Sequence, residues 1–323
     1  MTRISSHVLQ DGDVTVTMLN LGCITQDWRV PVGNQRVPVV LGYRDPQAYL
    51  RNPNYLGVIA GRVANRIGDA AFTLNRQRYT LDRNDGAHHL HGGARGLQTR
   101  LWEMEPDGQG SIHFRLISER GDQGYPGQVE FTVLVTLRGH DLTYDMRAIP
   151  DRDTPINLAQ HSYYNLMGQG DIWDHELMIA ATGYTPTDAD LIPTGHIVAL
   201  EQSALDVRIK RRLSLVDPAK AGIDLNYVLD PDAAVSAYVT APNGLELTLV
   251  TDQPGLQFYS GSGLTPLSDP WPGQMHDPFS GLCLESQGFP NSPNFTHFPS
   301  VIATPDQLYH QRTTVRIAPA GAS

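Results

Sequence analysis

Four stretches of the chain carry side chains able to bind a polar ligand or move a proton, and each interrupts an apolar or turn-like run. Gly61-Arg62-Val63-Ala64-Asn65-Arg66-Ile67 sets two arginines and an asparagine beside a glycine. Guanidinium and amide groups are fixed donors suited to a hydroxylated or anionic ligand, although arginines in a surface turn equally pair with carboxylates. His88-His89-Leu90-His91-Gly92-Gly93 places three histidines within four positions. On a strand His89 and His91 would point the same way, which suits a metal, but no nearby Cys, Asp or Glu completes a zinc spacing. An imidazole can equally donate to a ligand hydroxyl, and Gly92-Gly93 lets the backbone approach closely. His88, flanked by Ala87, reads as a surface residue.

Gln160-His161-Ser162-Tyr163-Tyr164-Asn165-Leu166 follows the run Ile156-Asn157-Leu158-Ala159, so His161 sits on or just past a strand end. A histidine with a reference pKa of about 6.5 can give or take a proton near neutrality. Ser162 is no nucleophile partner for it, because neighbours on a strand face opposite ways. Gly281-Leu282-Cys283-Leu284-Glu285-Ser286-Gln287 sets Glu285 inside an apolar run. A carboxylate there must be ion-paired, hydrogen-bonded or functional, and a salt bridge to an arginine is the structural alternative. Asp224 and Gln257 are further polar intrusions, in Gly222-Ile223-Asp224-Leu225-Asn226-Tyr227 and Pro254-Gly255-Leu256-Gln257-Phe258-Tyr259.

The elements that would position these groups are strands. Val129, Phe131, Val133, Val135 and Leu137 alternate with mostly polar residues, and Leu134 is the exception. Leu142, Tyr144, Met146 and Ala148 repeat the pattern after the turn residues Gly139 and Asp141. Val235, Ala237 and Val239 lead through Asn243-Gly244, a strong hairpin signal, into Leu245, Leu247 and Leu249. Long amphipathic helices are missing, and only Asp45–Leu50 and Thr265–Leu267 suggest short ones. The expected fold class is all-β, a sandwich of antiparallel sheets in one domain spanning 1–323. The terminal segment Ala318-Pro319-Ala320-Gly321-Ala322-Ser323 is expected to fray.

Composition narrows the function classes. The 323 residues include 24 Lys+Arg against 34 Asp+Glu, a formal charge of −10, with 40% hydrophobic and 18% charged residues. That balance is globular rather than disordered, and an acidic chain without a basic run is a poor nucleic-acid binder. No apolar stretch has the length of a membrane-spanning helix, and Met1–His7 lacks the apolar core of a secretory signal. Cys23 and Cys283 are too few for a disulfide framework and read as reduced, buried thiols of a cytoplasmic protein.

Taken in order, the clusters resemble the aldose 1-epimerase (galactose mutarotase) family. The matching segments are Gly61–Ile67, Leu90-His91-Gly92-Gly93, His161–Leu166, Pro193-Thr194-Gly195, Asp224 with Asn226-Tyr227, Gln257-Phe258-Tyr259, and Leu284-Glu285-Ser286-Gln287 with Phe289-Pro290. They span residues 40–317 or so. The resemblance implies a large antiparallel β-supersandwich with few short helices, and interconversion of the α and β anomers of a free aldose, hexose or pentose. It implies Glu285 as the base that takes the anomeric hydroxyl proton and His161 as the acid that protonates the ring oxygen. On the same reading His91 and Arg66 bond the sugar, and Asn65, Asp224 and Gln257 complete its hydroxyl-binding set. His161 is then expected near half-protonation, its pKa raised by neighbouring carboxylates. No cofactor, metal, nucleic acid or membrane is implied, and the assembly would be a monomer or homodimer.

Some positions depart from the family pattern. Asp85-Gly86-Ala87-His88-His89 replaces the commoner Asn-Gly-Pro-Asn-rich lead, Tyr164 stands where Phe is frequent, and Ser286 where Thr is common. Trp271, in the loop Ser268–Gly273, either stacks on a sugar or caps its loop. Three rivals stay in view: a non-catalytic carbohydrate-binding module, a glycoside hydrolase using Asp224 and Glu285, and a hexose-6-phosphate 1-epimerase. The hydrolase leaves His161 without a role, and the phosphate form asks for more basic residues than an acidic chain offers.

Overall fold

The alternation along Val129–Leu137 becomes a strand, Val129–Arg138, with those five apolar side chains buried and the intervening ones, Leu134 among them, half-buried or exposed. Its neighbour Asp141–Pro150 buries Leu142, Tyr144, Met146 and Ala148 in the same way. A computed structural model describes residues 3–201, 203–266 and 269–322 of the chain.

Both strands lie in a nine-stranded sheet. Its order runs through Glu103–Asp107, Ser111–Ser118, Val129–Arg138, Asp141–Pro150, Tyr309–Pro319, Leu245–Thr251, Ala237–Thr240, Glu176–Ile179 and Arg211–Arg212. A six-stranded sheet follows the order Tyr163–Tyr164, Leu282–Gln287, Gly255–Tyr259, Asp224–Leu229, Ala181–Thr185 and Val198–Ala199. The N-terminal residues form a four-stranded meander of Ser6–Asp11, Val14–Leu19, Ile24–Val32 and Gln35–Pro38. The strand ladders in all three are antiparallel. One apolar cluster takes side chains from all three of these sheets: Val16 and Trp28 from the meander, Phe131 and Tyr144 from the largest, Phe258 and Leu284 from the six-stranded one. Burial of these side chains, rather than helix packing, holds the layers together.

The Asn243-Gly244 turn forms as the sequence predicts. Gly244 takes φ +83°, and the Ala241 amide donates to the Leu245 carbonyl at 3.0 Å. The strand before it begins at Ala237, so Val235 lies outside. Asp45–Leu50 becomes a 3-10 turn, Pro46–Leu50, capped by the Asp45 carboxylate on the Gln47 amide. Thr265 and Pro266 are not helical, and Leu267 lies outside the described residues. Among the described residues the α-helix content is one four-residue segment, Leu213–Val216. The expectation of a fraying tail is corrected: Ala318 and Pro319 pair with Glu246 and Leu245, and the Ala320 amide donates to the Gly244 carbonyl. Backbone bonding outweighs the tail's small-residue composition. Ser323 lies outside the described residues.

Candidate active site

The floor of the site comes from the six-stranded sheet. Asn226, Gln257 and Glu285 are register partners across three adjacent strands, and Asp224, Tyr259, Cys283 and Tyr163 form the next row. Residues two apart on a strand share a face, so both rows look the same way. Leu225, Phe258, Leu282 and Leu284 alternate with them into the main apolar cluster. The walls come from loops. Arg66 pairs with Leu90 in a two-stranded ribbon, which brings Asn65 and His91 together at its end. Tyr55 (φ +56°), Asn65 (φ +59°) and His91 (φ +49°) are all left-handed, a cluster of strained backbone of the kind that collects at functional sites.

These groups enclose a cleft of about 160 Å³ whose lining includes Asn65, Arg66, His91, His161, Asp224 and Glu285. Gln257, the remaining residue of the expected set, is buried in the floor and donates its amide to the Asp224 carboxylate. A cavity of about 420 Å³ opens beyond Tyr55 and Pro53, but neither His161 nor Glu285 lines it.

His161 is fixed by its backbone: its amide donates to the Val58 carbonyl and its own carbonyl accepts from Gly57, each at 2.9 Å. Its Nε2 lies 3.6 Å from Glu285 Oε1. Burial pushes the His161 pKa down to about 4, correcting the expectation of a half-protonated ring. Loss of hydration outweighs the opposing backbone hydrogen bond. Glu285 is 2% exposed, and its Oε2 has no hydrogen-bond partner. Burial, and then the charge of Asp224, hold its carboxyl well above the ordinary range, against the opposing pull of Arg66. Burial also raises Asp224, opposed by its bonds to Gln257 and by Arg66.

The two arginines of Gly61–Ile67 have different fates. Arg62 is 2% exposed and gives all three of its nitrogens to Ser118, Glu119, Pro126 and Gly127, four of the five bonds ending on carbonyl oxygens. Arg66 reaches the cleft, held by Asp85 at 2.8 Å and lying 3.8 Å from Asp224. Asp85, noted as a departure in the sequence, therefore orients a wall of the site.

The histidine cluster also divides. The strand ends at Leu90, and the left-handed turn at His91 breaks the common face expected for His89 and His91. His89 bonds the Tyr125 hydroxyl at 2.8 Å and the Asp82 carbonyl at 2.7 Å, away from the cleft. His88 accepts the Asp69 amide at 3.0 Å and is not among the residues lining the cleft. The Nδ1 of His91 accepts the Asn65 backbone N–H at 3.2 Å. Burial holds this ring's pKa far below its ordinary value, so it is neutral and carries its proton on Nε2. His91, His161 and Glu285 bring ligand atoms within 4.8 Å of one another. Distance alone would admit a cation, but one His91 nitrogen has spent its lone pair and the other bears hydrogen.

The expected set omitted Tyr55, Tyr163, Tyr259 and Cys283. Tyr55 lies 4.7 Å from the His91 ring, centroid to centroid and tilted by 51°, and Tyr163 lies 5.2 Å from that of His161. The signal for two of them was in the sequence: Cys283 and Tyr259 stand two residues from Glu285 and Gln257 on their strands. Trp271 belongs to its loop, donating to the Gln26 carbonyl with Arg29 over its ring. Ser268, the first residue of that loop, lies outside the described residues.

Residues 5–316 match the family aldose 1-epimerase. Galactose mutarotase of Sus scrofa is 38% identical over 318 residues, covering 96% of this chain and 93% of its own. Aldose 1-epimerase of Escherichia coli is 32% identical over 301 residues, 88% of this chain and 86% of its own. A solved aldose epimerase homologue from C. elegans superposes with a TM-score of 0.93 at 25% identity, covering 98% of this chain and 99% of its own. These likenesses settle the lineage: the chain is an isomerase belonging to the aldose 1-epimerase family.

Proposed function

We propose that this protein interconverts the α and β anomers of a free aldose, galactose being the first to test because the mutarotase relatives carry it in their names. The observation that carries the reading is the buried His161–Glu285 pair, 3.6 Å apart at the base of a small polar cleft. Ring opening moves a proton from the anomeric hydroxyl to the ring oxygen, and both oxygens are bonded to the same carbon. A base and an acid that close together can address both at once.

Glu285 takes the hydroxyl proton as the C1–O5 bond breaks and the C1=O1 double bond forms. Its raised pKa makes it a stronger base than an exposed carboxylate, at the cost of a smaller ionised fraction. His161 delivers a proton from Nε2 to O5, and the proton held by Glu285 returns to it across the pair. Rotation about C1–C2 presents the other carbonyl face, and the same steps in reverse close the ring. His91 offers Nε2–H to a sugar oxygen, Arg66 offers guanidinium donors, and Asp224 accepts from hydroxyls while Gln257 holds it.

A sugar phosphate fits less well, because Arg66 is the one arginine or lysine in the lining and two carboxylates face it. The same reading places the protein in the cytoplasm, as a monomer or homodimer, with both cysteines reduced. Among the described residues no helix is long and apolar enough to cross a membrane.

Polarimetry on freshly dissolved α-D-galactose and α-D-glucose tests the proposal. The expected result is faster relaxation to the same final rotation, lost in Glu285→Gln. No acceleration on these sugars or the common pentoses would overturn it.

A further inference from the structure

A buried neutral imidazole has one ring proton, and His161 can act as the acid only when that proton sits on Nε2, the nitrogen facing Glu285. For His91 the choice is made by a backbone amide on Nδ1. For His161, the group at Nδ1 is the Cys283 thiol, with Sγ 3.7 Å away. We propose that Cys283 is a positioning residue: its S–H donates to Nδ1 of His161 and holds the ring proton on Nε2. This rests on the reading of His161 as the proton donor.

The placement follows from the sheet. Cys283 and Glu285 stand two apart on one strand and share its face, while Cys283 is the register partner of Tyr163, two residues beyond His161. One strand therefore brackets the ring, with Glu285 at Nε2 and Cys283 at Nδ1. Cys283 is fully buried and His161 is 4% exposed, so water does not compete freely for either nitrogen. Burial pushes the thiol pKa up, so the sulfur keeps the hydrogen it must donate, and pushes the ring down, so the ring is neutral with one nitrogen free to accept. The Tyr163 hydroxyl, on the register partner of Cys283, pulls the thiol pKa down more weakly than burial raises it. It can donate to a sulfur lone pair and leave S–H for Nδ1. A thiol is a weak donor, so the effect is a bias between tautomers rather than an absolute lock.

The test is ¹⁵N NMR of histidine-labelled protein, with the His161 resonances among the 12 histidines assigned through His161→Asn. Wild type is expected to show His161 protonated at Nε2. Cys283→Ala is expected to shift population to the Nδ1–H form and to lower kcat about threefold to tenfold, with KM within about twofold. Cys283→Ser, which restores a donor, is expected to recover the Nε2–H form and most of kcat. An Nδ1–H ring in wild type overturns the proposal whether or not any variant folds. So does an alanine variant that keeps the wild-type tautomer and a kcat within about twofold of it. The spectrum is read without turnover. Near-wild-type mutarotation by His161→Asn would instead remove the acid role and leave the tautomer result standing.

Discussion

The Asn65 backbone amide donates to Nδ1 of His91 at 3.2 Å, and both residues hold the left-handed backbone that makes this contact possible. The bond makes His91 a hydrogen donor toward the cleft. His91→Ala is therefore expected to lower kcat/KM by about 10- to 100-fold, largely through lost sugar contact. Exhaustive chelation is expected to leave the wild-type rate unchanged. Tight, stoichiometric zinc bound at His91 would show that its nitrogen turns a lone pair to the cleft after all.

Replacing either member of the 3.6 Å pair removes a proton-transfer group. Glu285→Gln and His161→Asn are each expected to cut kcat by about 10²–10⁴-fold with circular dichroism unchanged. A folded variant that mutarotates at close to the wild-type rate takes its residue out of the proposed role.

The pH profile carries the sign of the Glu285 shift. Its pKa is raised by burial and then by Asp224, so the acid limb of kcat/KM should fall above the ordinary carboxylate midpoint of about 4.3. Asp224→Asn removes one of the two raising influences. Its acid limb is expected at lower pH than wild type, even though binding is weaker. A limb that stays in place would assign it to another group.

The same shift has a stability consequence. A carboxyl raised on folding is released first by the unfolded chain, so stability falls as pH rises from about 4.3 to the folded value. Above that window the loss persists. Glu285→Gln removes it, and Tm at pH 7 is expected to rise by about 2 °C or more relative to wild type, with little difference near pH 4. Equal Tm changes at the two pH values would show that ionisation is not the cause.

Arg62 and Arg66, four positions apart, should fail differently. Arg62→Met strands buried carbonyls and is expected to cost about 3 kcal/mol or more of stability in denaturant unfolding. Arg66→Met is expected to leave stability within about 1 kcal/mol and raise KM about tenfold. Comparable destabilisation by both would place Arg66 in the scaffold.

What the sequence determined by itself was what short-range periodicity and ordered motifs can express. The alternation of Val129–Leu137 and the Asn243-Gly244 turn specify strands and a hairpin, because side-chain direction on a strand repeats every two residues. The ordered motifs named Asn65, Arg66, His91, His161, Asp224 and Glu285, which the fold brings to one cleft. The motif named Arg66 and passed over Arg62 by resemblance alone; the physical difference lies in the fold, since the two share one heptapeptide and only Arg66 reaches the cleft while distant loops enclose Arg62. His91 was likewise named over His89 by resemblance, whereas the alternation alone put both on one face; the strand end at Leu90 and the left-handed His91 are what separate them. Protonation was the least legible. Glu285 and His161 lie 124 positions apart in sequence (285 − 161), and their pKa values are moved chiefly by desolvation, a property of the closed fold rather than of neighbouring letters.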